Sequence, residues 1–138
     1  MRIEFRFAAG FYYHASMIEY ELIPDPGILV IRPKGALQSS DFETLTAATD
    51  EFIATEGSLA GVCIQVESFP GWQNFAGFVS HLNFIKDQQT RVSKVAMVSD
   101  STLMEVMPKL VDHFVNAEVR HFYNDELVLA LDWIRDHQ

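Results

Sequence analysis

Strand-like runs and helix-like segments alternate along most of this chain, and that alternation leaves few folds open. The runs "MIEYELI", "ILVIRPKG", "LAGVCIQVES", "RVSKVAMVS" and "AEVRHFYN" are rich in β-branched and aromatic residues. Pro24-Asp25-Pro26-Gly27 separates the first two, and two prolines with a glycine suit a tight reversal, so these strands form an antiparallel hairpin. In "LAGVCIQVES" Val62, Ile64 and Val66 alternate with Cys63, Gln65 and Glu67, which predicts a strand with one less buried face. The unbroken Val95-Ala96-Met97-Val98 predicts a strand covered on both sides.

Between the strands the spacing turns helical. Phe42, Leu45, Phe52 and Ile53 share one face, Ser40 and Glu43 have capping-box spacing, and Gly57 ends the helix. Trp72, Phe75, Val79, Leu82 and Ile85 predict an amphipathic helix over residues 72–86. A further helical segment starts near Ser101 or Thr102, where Thr102 and Glu105 repeat the capping-box spacing, and Pro108 predicts a kink or two short helices. Asn124 or Asp125 caps a last helix whose buried stripe is Leu127, Ala130, Leu131 and Ile134. A β-hairpin followed by α, β, α, β, α, β, α is an α/β domain with parallel neighbours and right-handed crossovers.

Length and charge narrow the function classes. The 138 residues, 49% hydrophobic, suit a single core, and no repeat, low-complexity segment or linker divides them. Nineteen acidic against ten basic side chains give a net charge of -9, which repels phosphate backbones and makes nucleic acid a poor partner. No apolar run reaches the roughly 18 residues of a membrane span. The lone Cys63 forms no intramolecular disulfide and has no activating neighbour in sequence, so the cytoplasm is the expected compartment and Cys63 a buried strand residue. Residues 1–16 stand apart. Arg2-Ile3-Glu4-Phe5-Arg6-Phe7 alternates like a strand, while Glu4 and Arg6 break any secretory apolar core. They are read as an arm or as a non-native leader, with the domain proper at 17–138.

Catalytic signatures are scarce. His81, His113 and His121 are widely spaced and no paired-ligand pattern surrounds them, so no metal is assigned. The legible hydrolase and nucleotide motifs are missing, and neither a catalytic residue nor a cofactor is assigned. Glu67, Asp100 and Asp125 flank strand ends, where α/β ligands often bind, although charged loop residues are commonly just solvated. The stretch "SFPGWQNFAGF" gathers a tryptophan and three phenylalanines around a Pro-Gly turn. Trp72, Phe75, Val79 and Leu82 fill the face that docks on the sheet, Phe78 lies on its margin, and Phe84 points the other way. Either the next helix covers those rings or, with Met104 and Met107, they border an apolar recess.

The run "VSKVAMVSD" and the C-terminal "AEVRHFYNDELVLALDWI", an acidic-Val-Arg-x-Phe strand feeding an Ala-x-x-Trp helix, resemble the SpoIIAA-like proteins of the STAS (sulfate transporter and anti-sigma antagonist) superfamily. The resemblance covers roughly residues 17–134. It implies a mixed sheet with about four helices packed mainly on one side, and a non-enzymatic binding or switching module. Anti-sigma antagonists carry an Asp-Ser-Ser-Gly type phosphorylation motif after the third strand, where this chain has Glu67-Ser68-Phe69-Pro70-Gly71. Ser68 is thus the candidate phosphorylation site, although aromatics and proline replace the motif's small residues. Family members without the motif are similar in general shape to CRAL-TRIO lipid-binding domains, which implies an apolar or amphipathic ligand. Two expectations follow. In the first, Phe69, Trp72, Phe75, Phe78, Phe84, Met104 and Met107 bind such a ligand, a lipid at the membrane surface included. In the second, the domain is a protein-interaction and regulatory module switched near Ser68. Surface rings and the N-terminal arm add a homodimer as an expected assembly.

Overall fold

The computed structural model describes residues 18–24, 26–34, 39–68, 92–114 and 117–136. Residues 1–17, with the arm-or-leader question, lie outside that range, as do residues 69–91, where the sequence predicts the 72–86 helix and which include His81 and the rings from Phe69 to Phe84.

Five strands form one sheet in chain order. They are β1 (Ile18–Ile23), β2 (Ile28–Pro33), β3 (Gly61–Gln65), β4 (Lys94–Ser99) and β5 (Glu118–Tyr123). The hairpin β1–β2 is antiparallel, with Glu19 opposite Arg32 and Ile23 opposite Ile28. The remaining neighbours are parallel. Gly27 makes the reversal work. Its φ of 95° is left-handed, and a Cβ there would meet the Ser58 carbonyl oxygen at 2.5 Å. Its own carbonyl accepts the N–H groups of Ala60 and Gly61, tying the hairpin to the start of β3.

Helix α1 (Ser39–Glu56) follows β2. Its N-terminus differs from the capping-box expectation, since Ser40 lies inside the first turn, where its carbonyl accepts the Thr44 hydroxyl. Gly57 ends the helix as expected, at φ 95° with its N–H donated to the Ile53 carbonyl. Pro108 has the foreseen effect. A 3₁₀ stretch, Ser101–Val106, gives way to a short helix α2 (Met107–His113) with the proline in its first turn, where a missing N–H costs nothing. The cap of that segment is Asp100 rather than a Thr102–Glu105 box, because the Asp100 carboxylate accepts both the N–H and the hydroxyl of Thr102. A turn at Asn124–Glu126 leads into α3 (Leu127–Arg135). The Glu126 carboxylate reaches back to the Tyr123 N–H at 2.8 Å, so the cap comes from Glu126 instead of Asn124 or Asp125.

Two apolar layers hold the sheet. On one face Leu29, Ile31, Val62, Ile64, Val95 and Met97 meet Phe42 and Leu45 of α1 and Leu103 and Leu110 of the 3₁₀–α2 segment. On the other Ile28, Val30, Cys63, Ala96 and Val98 meet Ala130 and Ile134 of α3. Of the three described α-helices, two therefore cover one face and α3 covers part of the other. That contact buries Cys63 fully beneath α3, while Gln65 is half-buried and Glu67 exposed farther along the same side, so the less buried face expected of β3 is seen only beyond the helix. Gly61 lets α3 come this close, since a Cβ there would collide with the Ile134 side chain. Each buried aliphatic side chain contributes about 1.5–3 kcal/mol, so the two layers dominate stability.

Candidate functional site

Because α3 covers only part of its face, the remainder is left to polar side chains. Glu19 and Glu21 of β1, Arg32 of β2 and Gln65 of β3 point to that side, as the register of the strands dictates. Together with Pro33, Lys34, Val66, Glu67, Ser68 and Asn124 they line an open cleft of about 730 Å3. It lies at the carboxyl ends of β2, β3 and β5, the end at which α/β sheets commonly bind ligands.

The cleft is ordered by ionic and amide contacts. Arg32 Nε donates to Gln65 Oε1 at 2.9 Å, and an Arg32 guanidinium nitrogen lies 3.8 Å from the Glu21 carboxylate. Lys34 Nζ lies 3.6 Å from Glu19. Asn124 Nδ2 donates to the Glu67 carbonyl at 2.7 Å, and the Val66 N–H continues the ladder to Val98. The exposed Ser68 thus follows a segment held at Val66 and Glu67. Asn124 was read in the sequence as a helix cap; its link to a segment 57 positions earlier is the contact that sequence reasoning missed. No local spacing signals a pairing made by strand order.

Chemically this is a polar, charged surface. Its lining holds three carboxylates, two cations, an amide pair and a hydroxyl, with no histidine or thiol to activate Ser68 as a nucleophile. Cys63 lies beneath the surface, where burial pushes its thiol up to about 12 against a weaker downward pull from Arg32. Among the described residues no group of three metal-ligating side chains occurs.

The other sequence candidates fall elsewhere. Asp100 is occupied as a helix cap, and Asp125 is exposed in the turn before α3. His121 Nε2 lies 3.3 Å from the Ser99 carbonyl, and the His113 side chain is outside the described residues. Of the seven apolar-ligand candidates, Phe69, Trp72, Phe75, Phe78 and Phe84 lie outside the described residues. Met104 is exposed, and Met107, the first residue of α2, is partly buried against the core. Neither methionine lines the polar cleft.

The family model described as SpoIIAA-like matches residues 28–135, most of the chain and all the parallel strands. The chain belongs to the SpoIIAA-like family, a STAS-type α/β domain. Domains of this type are generally non-enzymatic modules that interact with protein partners. No curated protein and no solved structure matches the chain. No helix among the described residues is long and apolar enough to cross a membrane.

Proposed function

We propose that this domain is a regulatory protein-interaction module of the anti-sigma-antagonist kind, and that its partner docks over the polar cleft with Ser68 at the rim. The observation that carries the reading is the placement of an exposed serine in the same cleft as Arg32 and Lys34. The cleft's three carboxylates and two cations nearly balance. A phosphate on Ser68 adds nearly two negative charges and three acceptor oxygens, enough to draw Arg32 from Glu21 and leave the cleft strongly negative, so that an acidic partner surface is repelled. Asn124 anchors the preceding backbone, so the change is delivered at a fixed position. The apolar-ligand reading has less support, since its two described members are an exposed methionine and one packed into the core.

Affinity capture from native lysate identifies the partner, and titration of that purified partner then tests the reading. Ser68→Asp and Arg32→Glu are each expected to weaken binding about tenfold or more, a loss of about 1.4 kcal/mol. Undiminished affinity in both variants sinks the proposal. A shift in tryptophan emission on adding liposomes, abolished by Phe84→Asp, would restore the lipid reading instead.

A further inference from the structure

β5 is an edge of the described sheet. The Glu118 N–H points inward to the Ser93 carbonyl. Alternation along a strand paired in parallel therefore turns the backbone groups of Val119, His121 and Tyr123 outward. Among the described residues, exposed large hydrophobic side chains occur on β5 and on the helical elements that pack against it. Tyr123 lies on β5, Met104 and Val111 on the 3₁₀–α2 segment at one side of it, and Val128 and Leu129, 70% and 55% exposed, on α3 at the other. An edge with open backbone and apolar flanks is a ready template for another strand.

The charges on β5 say which strand fits. Glu118 and Arg120 are both exposed, lie two residues apart on the α3 face, and have no ion-pair partner among the described residues. The Arg120 guanidinium instead rests 5.4 Å from the centre of the Phe122 ring and 5.8 Å from that of Trp133, and none of its N–H groups donates to another described residue. We propose that two copies of this chain join antiparallel through β5, about a two-fold axis at Val119. In that register the outward groups of the two Val119 residues exchange hydrogen bonds, and each Glu118 stands directly opposite the other copy's Arg120, giving two reciprocal ion pairs. Shifting the axis to Arg120 sets guanidinium against guanidinium. Shifting it to His121 faces Glu118 with Asn124 and calls on the Tyr123 N–H, which Glu126 already holds. The charge pattern thus selects one self-complementary register, and the polar cleft stays open in each copy.

Sedimentation of the full chain from about 1 to 100 µM tests this. Wild type is expected to dimerise, and Glu118→Arg and Arg120→Glu alone, each placing like charges opposite one another, to weaken dimerisation about tenfold or more. An equimolar mixture of the two variants is expected to dimerise again, because every pair in the mixed dimer is then of opposite sign. Should a single variant fail to fold, the double variant Glu118→Arg/Arg120→Glu decides, with a dimer expected. A wild type that stays monomeric, even one that captures another protein's extended peptide, overturns the proposal. So do a single variant as dimeric as wild type, a mixture that does not recover, and a monomeric double variant.

Discussion

The thiol of Cys63 shows how burial settles chemistry at the scale of one residue. It lies beneath α3 with no exposure, and its pKa is raised from 9.0 to about 12, chiefly because the thiolate cannot be solvated there. The sign of the linkage follows. A raised folded-state value favours the fold while the thiol is protonated in both states, fully so below about pH 9, and that contribution declines as pH rises through 9 to 12. Native protein at pH 8 is therefore expected to resist iodoacetamide, with labelling seen by mass spectrometry only after denaturation. The stability difference between wild type and Cys63→Ala is expected to narrow through the same alkaline window in denaturant titrations. Arg32, which pulls the thiol the other way, is half-buried and held by Gln65 and Glu21, so it also belongs to the polar cleft.

At the scale of elements, α3 depends on a contact from outside itself. Lys94, the first residue of β4, donates from Nζ to the Trp133 carbonyl at 2.8 Å and to the Asp136 carbonyl, and lies 5.2 Å from the Trp133 ring. These carbonyls sit at the negative end of the helix, where a cation is favourable. Lys94→Met keeps the apolar stem and removes the charge, so it is expected to cost about 1–2 kcal/mol in urea denaturation. The elements themselves were largely legible in the sequence. The hairpin at Gly27, the stop at Gly57, the break at Pro108 and the stripe of α3 all announce themselves through backbone chemistry or helical spacing. The caps were not, because Asp100 and Glu126 compete with nearby groups of similar character and only the folded geometry decides between them. The cleft was half legible. Ser68 was found through its place after β3, but Glu19, Glu21, Arg32, Gln65 and Asn124 come from four separate strands or strand ends, and nothing local connects them.

For the molecule as a whole, the two ends of the sheet's design separate two kinds of contact. The cleft opens at the carboxyl ends of the strands, while the apolar flanks and the unmatched Glu118 and Arg120 lie along β5. If the chain pairs through β5, folding and association are linked, and the melting temperature depends on protein concentration. With the entropy of unfolding expected for this length, the midpoint measured by calorimetry should rise about 2 °C for each tenfold increase in concentration, and this slope should vanish in Arg120→Glu. A concentration-independent midpoint in wild type would speak against association at those concentrations. Charge favours such an arrangement only locally, since a net -9 on each copy opposes association at long range.

Among the described residues α3 is the one helix on the second face, and this has one more consequence. The strands beneath it do two separable jobs along their length: one stretch supports the fold, and the next presents polar side chains held chiefly by one another. Replacing Glu21, Arg32 or Gln65 leaves Val30 and Cys63 where they are, so lineages bearing this domain are free to rewrite what it recognises while inheriting its scaffold unchanged.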